Sequence, residues 1–532
     1  MVVGYSGGSV MRVEAGVLVR HAAERFGGRT AVSWPGGEQS FEEVNEAANR
    51  VGSGFLSLGL DRGDRVGVLA FNTPEVMQTW FGFEKHHLVR VVLHSHFDMA
   101  AHAFSLNQVE ARAVLFDTRF TDQVERARHD LTTTDVFVAI GPNPPDWAVA
   151  YSDVIDQGSV DEPLLDVDED EPCFLQLTSG TTGHPKAWIK TYRSWQAVIN
   201  HNLHHLDTFG AGAPPVGPDD VNVHFHPLQW ASGFQTLYPY FVRGARSVLV
   251  DDEQFDPEAL IDTFAAEGAT GTFMPGPLLT PVLDAVEARE SYEHSLMRMV
   301  VFFGTRELLE RTTALLGPIW THGFGSTEQG AVTTRLLPED VEGHPERLDS
   351  VGRPGSPFLE VAIMTEDGQR LPAGEVGEIA KRSAMSMGSY WGLPDQTREA
   401  FFPGDWFRPF DVGYIDSDGF LYYADRAGDR ITSQHGVVYP HLIEAAVMRH
   451  RSVANCGVVG IGTEGEQEVV AAVLLKGGVE GSADLNAEIA AEAGQGLADH
   501  ERPQRIVFVD ELPTVLGGAK VQRAALRDQL TG

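Results

Sequence analysis

The chain is poor in cysteine and in positive charge, and it has no long apolar run. Among its 532 residues are two cysteines, Cys173 and Cys456. They lie far apart in apolar, strand-like contexts and read as buried free thiols. That excludes a disulfide framework and suits a cytoplasmic protein. No stretch of eighteen apolar residues occurs, so no transmembrane helix is expected. Met1 to Met11 lacks an apolar core flanked by basic residues and reads as a loose Gly/Ser-containing lead rather than a signal peptide. Lys and Arg number 40 against 75 Asp and Glu, a net charge of −35. Such a surface repels nucleic acid and anionic membrane. It does not exclude anionic small molecules. Salt screens the global field over about 10 Å, and a local cluster of cations and N–H groups acts within that range. Repeats and low-complexity tracts are absent as well.

The remaining composition, 42 % hydrophobic and 22 % charged, is that of a globular protein, and at this length it predicts two or more domains. From residue 12 to 60 the pattern predicts helix, short strand pair, then helix. Phe41 to Leu58 carries Val44, Ala47, Ala48, Val51, Phe55 and Leu58 on one face. Strands are expected at Arg65–Ala70, Val89–Leu93 and Ala113–Phe116, with helices from Asn72 to about Lys85 and from Met99 to Gln108. This alternation recurs from Val221 to Phe303 and argues for α/β sandwich subdomains with parallel sheets. Pro345 to Ile379, rich in Gly, Pro and turn signals, suits a small β subdomain. A sharper break at Ala424–Arg430 divides the chain into a large N-terminal domain, 1–425, and a small α+β C-terminal domain, 426–532. In the latter, helices are expected at Pro440–Arg449 and Leu485–Gly494, and strands at Asn455–Ile461, Glu468–Leu475 and Arg505–Val509.

The chemistry is most concentrated in one loop that follows a strand-like stretch, Cys173 to Leu177. Thr178-Ser179-Gly180-Thr181-Thr182-Gly183-His184-Pro185-Lys186 holds four hydroxyls, two glycines and one lysine in nine residues. Glycine lets backbone N–H groups point inward, hydroxyls donate and lysine adds charge, which together suit the oxyanions of a polyphosphate. It is not a Walker A loop, because two residues rather than four separate Gly180 from Gly183, and Ala187 follows the lysine.

The loop resembles the phosphate-binding signature of the adenylate-forming superfamily of acyl-CoA synthetases, peptide-synthetase adenylation domains and luciferases. The resemblance continues, in order, to the C-terminus. Gly323-Phe324-Gly325-Ser326-Thr327-Glu328 matches the segment in which an aromatic lies against adenine, Thr contacts the α-phosphate and Glu ligates magnesium. It implies those roles for Phe324, Thr327 and Glu328, with Gly325 and Ser326 also at the nucleotide and Gly323 beside the acyl group. A flat ring offers stacking area, and a carboxylate suits a hard cation. In Trp406–Gly413, Asp411 matches the Asp that accepts both ribose hydroxyls, although Pro409-Phe410 stands where relatives have Thr-Gly. Arg426 matches the hinge arginine that reaches ribose and phosphate, and Gly428 the pivot, where Asp or Lys is commoner. Ala519-Lys520 stands where relatives have Gly-Lys. Lys520 is thereby implied as the adenylation lysine, bridging the substrate carboxylate and the α-phosphate as charge builds between them.

From these matches follow the catalytic residues Lys520, Glu328 and Thr182, and a nucleotide site that adds Gly304 and Thr305 to the loop residues. Phe303-Gly304-Thr305-Arg306 replaces a wall that often reads Gly-Gly-Ala-Pro. ATP, Mg2+ and coenzyme A are the implied cofactors. The glycine beside pantetheine in relatives falls nearest to Gly436, one step past its expected place at His435. Pro227–Gly233 resembles the edge of the acyl pocket, with Trp230 in the place of a His or aromatic residue. No acid lies between His224 and Gln235, and a buried ammonium without a partner is costly. An amino-acid substrate is therefore disfavoured, and Trp230 and Phe234 point to an apolar, aryl or bulky acid. His86, His87, His94, His96, His224 and His226 are expected to be packed or exposed side chains, since no matching carboxylate or cysteine spacing accompanies them.

The expected function is activation of a carboxylic acid to its acyl-AMP with release of pyrophosphate, then thioester formation with coenzyme A. The alternative is adenylation alone, with the acyl-AMP passed to a carrier protein, a separate enzyme or another acceptor. A non-catalytic nucleotide-binding relative is disfavoured by the joint presence of Glu328, Asp411 and Lys520. Partners are small molecules rather than nucleic acid, and a homodimer is left open.

Overall fold

The computed structural model describes the chain except residues 1–10, 96–98, 179–184, 211, 327, 329, 331, 435, 464, 496, 516–519 and 532, and except the side chains of Ala101, Thr178, Ala231, Val515 and Lys520. Two helices show how the sequence sets the N-terminal architecture. Phe41–Ser57 begins at Ser40, whose hydroxyl accepts from the Glu43 N–H while the Glu43 carboxylate accepts from the Ser40 N–H. This reciprocal cap satisfies two otherwise orphaned donors. Its apolar stripe of Val44, Ala48, Val51 and Phe55 is fully buried. The partner helix, Pro74–His86, starts on Thr73 with proline in its first turn and is buried along almost its whole length. The two pack backbone to backbone. A Cβ on Gly52 would fall 2.6 Å from the Gly82 carbonyl oxygen, and one on Gly82 would fall 2.5 Å from that of Ala48.

Among the described residues three large sheets, with a two-stranded ribbon of Arg12–Glu14 and Asp166–Asp168, build the large domain. The first has seven strands in the order Lys186–Thr191, Pro172–Thr178, Val89–Val92, Arg65–Leu69, Ala113–Asp117, Val136–Ile140 and Val149–Ala150. All pairs are parallel except the hairpin formed by the first two, in which Thr178 stands opposite Lys186. The second sheet has nine strands, with a parallel centre of Trp320–Phe324, Arg298–Phe302, Gly271–Pro275, Val221–His224, Arg246–Leu249 and Thr30–Trp34. The third is antiparallel and includes Glu360–Met364, Gly377–Arg382, Asp411–Ile415 and Leu421–Arg426. It is the expected β subdomain, with its strands beginning at Glu360 and running on to Arg426.

The C-terminal unit is an α+β assembly. Strands Val453–Ile461, Glu468–Leu475 and Arg505–Val509 form its sheet, and helices Pro440–Met448, Ala483–Ala493 and Arg523–Thr531 flank it. Arg523 joins this unit to the preceding turn. Its guanidinium lies 3.3 Å from Asp425, 3.4 Å from Asp429 and 3.0 Å from Glu444. Cys173 and Cys456 are buried free thiols. No helix among the described residues is long and apolar enough to cross a membrane.

Candidate active site

Parallel sheets gather function at the carboxyl ends of their strands. Here Phe324 closes one such strand, Phe302 its neighbour and His224 another, while Thr178 closes a strand of the first sheet. The first strand of the hairpin ends at Thr178 and the second starts at Lys186. Ser179, Gly180, Thr181, Thr182 and Gly183 lie outside the described residues, as do Thr327 and the side chain of Thr178. Lys186 opens the second strand with its ammonium 5.3 Å from the centre of the Tyr390 ring.

One cluster of charged and aromatic groups collects where the second and third sheets meet. Phe324 is partly buried, with Tyr423 tilted 5.6 Å away. Asp411, 3 % exposed, stands opposite Arg426 across an antiparallel pair, and the guanidinium Nε is 3.0 Å from its carboxylate. Arg426 also donates to the Pro409 carbonyl at 2.9 Å. Glu328 has its carboxyl held above the usual carboxylate range by burial, partly offset by Arg426 and Lys381. The turn that carries it is tied down from both sides. Its carbonyl accepts from the Met387 N–H at 3.0 Å and from the Lys190 ammonium at 3.3 Å. Lys190 also donates to the Met385 carbonyl, and burial lowers it to about 7. Ser326 has a buried hydroxyl with no hydrogen-bond partner among the described residues.

Two aromatic residues of this cluster adopt left-handed backbone, Phe303 at φ 57° and Phe410 at φ 61°. Such conformations are strained for bulky residues and concentrate at functional sites. Phe410, where the resemblance expects glycine, takes a positive φ that glycine would adopt without strain. Phe303 directly precedes Gly304 and Thr305. The Thr305 hydroxyl accepts from the Leu308 N–H and caps helix Arg306–Leu316. A Cβ on Gly304 would meet Val301, His322 and Leu309 at 3.1–3.4 Å, so the wall is closely packed there.

A second group is a row of rings. Trp230 meets His94 at 4.9 Å and His226 at 5.2 Å between ring centres. The His226 ring is 4.9 Å from Phe273, Phe273 is 5.4 Å from Phe302, and Phe302 is 6.5 Å from Phe303. Gly323 ends the row, since a Cβ there would approach the Phe302 ring to 2.9 Å. Trp230 and Gly323, expected at one pocket, thus lie along one continuous wall. Phe234 does not join them. It is fully buried in the core, stacked on Trp80 at 4.0 Å and edge-on to Phe81 and Tyr238. Its expected role as a pocket residue is corrected accordingly.

The histidines are packed rather than gathered. His86 bonds the Gly82 carbonyl, His226 bonds Ser232 at 2.9 Å, and burial depresses both imidazoles, to about 4 and about 3. His96 lies outside the described residues. Gly428 sits in the turn Ala427–Asp429, where a Cβ would meet nothing within 4 Å. Gly436 lies in the hairpin Ile431–Ser433/Gly436–Val438 at φ 137°, beside the His500 ring. Lys520 begins a short strand paired with Thr514-Val515; its side chain is outside the described residues.

One residue of the cluster escaped the sequence reading. Lys381 is fully buried beside Phe324, with its ammonium 4.7 Å from the ring centre. A signal was available: Lys381 lies two residues after the core residue Ile379 in the strand Gly377–Arg382, so it faces inward.

Residues 19–391 match the AMP-binding enzyme family, and residues 442–516 match the AMP-binding enzyme C-terminal domain. A medium/long-chain fatty acid–CoA ligase of Mycobacterium tuberculosis is 29 % identical over 89 % of this chain and 82 % of its own length. An indoleacetate–CoA ligase of Aromatoleum aromaticum is 28 % identical over 94 % of this chain and 95 % of its own. Among solved structures, an anthranilate CoA ligase in complex with anthranoyl-AMP superimposes with a TM-score of 0.85. It is 24 % identical, and 97 % of each chain is covered.

Proposed function

The chain belongs to the AMP-binding enzyme family, and from that premise we propose that it activates an apolar, aryl or bulky carboxylic acid as the acyl-AMP and transfers the acyl group to coenzyme A. The observation that carries this reading is the convergence of Phe324, Glu328, Asp411 and Arg426 at the strand ends, next to the hairpin in which Thr178 stands opposite Lys186.

In the first step a carboxylate oxygen of the acid attacks the α-phosphorus of ATP. The bond to the β-phosphate breaks, and pyrophosphate leaves. The protein does little covalent work; positioning and charge stabilisation lower the barrier. Asp411 has two acceptor oxygens for the ribose diol, and Arg426, 3.0 Å from it, holds that carboxylate in place. Phe324 offers a flat face to the base. Glu328 suits Mg2+, because a lone buried carboxylate shared with phosphate oxygens is how that cation is commonly held, and a bound Mg2+ would neutralise charge on the departing pyrophosphate. The loop Ser179–Gly183 and Lys186 are assigned to the phosphates, with Thr182 donating to the leaving group. Lys520 is assigned to the α-phosphate and substrate carboxylate.

In the second step the thiol of coenzyme A attacks the acyl carbonyl, and AMP leaves. This step requires the C-terminal unit, 426–532, to turn about Gly428 and bring Gly436 toward the cleft. A glycine with open space where its Cβ would stand supports such a pivot. The row from His94 to Phe303 supports an acid with apolar or aryl bulk. The fatty acid and indoleacetate ligases, both near 30 % identical, agree with that class.

Acid-dependent exchange between ATP and pyrophosphate tests the first step, with coenzyme A added for the second. Wild-type enzyme should exchange with aryl or fatty acids, and Lys520→Ala should lose at least about a thousandfold while still binding nucleotide. Near-normal exchange by this variant would remove Lys520 from the chemistry.

A further inference from the structure

Lys381 is a buried charge at the site that the sequence did not announce. Its side chain is fully buried, and its ammonium makes no hydrogen bond to any described residue. A buried charge without partners costs several kcal/mol or more. What surrounds it is informative. The ammonium lies 4.7 Å from the centre of the Phe324 ring. Burial pushes it down to about 8, while Asp411 and Glu328 pull it back up. The register of the third sheet puts Glu378 opposite Val412, so Asp411 and Lys381 lie on the same face. A cation–π contact offers the ammonium one attractive surface but no acceptor for its three N–H groups.

Those N–H groups therefore lack an acceptor at the place where ring, diol-binding carboxylate and metal-binding carboxylate meet. We propose that Lys381 is a nucleotide-binding residue whose ammonium donates to an acceptor on the adenosine half of ATP, between the base beside Phe324 and the ribose on Asp411. This rests on the nucleotide reading above. ATP would supply the missing acceptor, and the unpaired charge of the free enzyme would be compensated only on binding. Lys381 thus ties ATP affinity to a local destabilisation of the empty site.

The isosteric variant Lys381→Met separates this role from a structural one, because the two predict opposite signs. The free variant should melt at the same temperature as wild type or higher, since an unpaired buried charge has gone. Its KM for ATP in the exchange assay should rise about ten- to a hundredfold, the loss expected for one charge-assisted hydrogen bond, with kcat changed less than about threefold. The ATP-induced rise in melting temperature should shrink in parallel. A variant that melts lower yet keeps its ATP KM would overturn the proposal and make Lys381 a scaffold residue. Absence of acid-dependent exchange in the wild-type enzyme would instead count against the adenylation reading itself.

Discussion

On the side proposed for the nucleotide the strand ends carry buried charged groups, whereas on the side proposed for the acid they carry rings packed edge-on or tilted against one another. Lys381 and the Ser326 hydroxyl make no hydrogen bond among the described residues, Glu328 is held above its usual range by burial, and Phe410 sits in strained backbone. Against this, Trp230, His94, His226, Phe273 and Phe302 contact one another in sequence, and His226 has its proton affinity suppressed by burial. The difference follows from what each side must recognise. A nucleotide offers fixed donors and acceptors, so its site can hold charge ready at some cost to the empty protein. An apolar acid offers area, so its site can be closed and stable before the acid arrives.

The two sides should respond separately to single substitutions. The larger effect is expected from Asp411→Ala. It removes both acceptors for the ribose and leaves Arg426 without its carboxylate. The kcat/KM for ATP should fall about a thousandfold, equivalent to roughly two charge-assisted hydrogen bonds, while the ranking of acids stays as in wild type. Trp230→Ala should do the reverse. Preference among aryl, fatty and short acids should move by about tenfold, with the KM for ATP within about twofold of wild type. Pyrophosphate release over a panel of acids reads both. An unchanged acid profile in Trp230→Ala would place that side chain in the core with Phe234.

The residues proposed for the nucleotide stand out in the sequence because the chemistry dictates residue type. A diol needs a carboxylate and a phosphate needs N–H groups, so Asp411, Glu328 and the Thr178–Lys186 loop stand out wherever the chain folds them. The alternation of strands and helices was legible for a similar reason, since burial on both sheet faces writes continuous apolar runs such as Val66 to Leu69. The acyl side was less so, because packing needs only apolar area and many residues supply it. Trp230 and Phe234 are four apart and both offer apolar area, but the structure places them differently. The helix begins only at Ala231, so Trp230 stands on its N-terminal cap, outside the helical repeat, and Phe234 turns into the core. Lys381 was missed because lysine usually marks solvent, and only its place in an inward-facing register betrays it.

One further buried carboxyl lies on neither side of the site. Glu84 is buried in the aromatic core, where its carboxylate accepts from Trp195 at 3.3 Å and from Tyr238 at 3.2 Å. Burial raises it to about 7, against 4.5 for the free group. A strongly shifted carboxyl is often a functional one, yet both oxygens of Glu84 are engaged by core side chains. Its shift should therefore matter to stability alone. As pH rises from about 4.5 to 7 the unfolded chain releases this proton before the folded one does, so folding stability falls across that window, and the penalty is complete above it. Glu84→Gln keeps an acceptor and removes the charge. It should stabilise the protein by up to about 3 kcal/mol at pH 8 and by little at pH 4.5, leaving ATP KM and acid preference unchanged. Denaturant melts at the two pH values measure the difference. An equal effect at both would mean that Glu84 is not charged in the folded core, and a loss of exchange activity would make it part of the site.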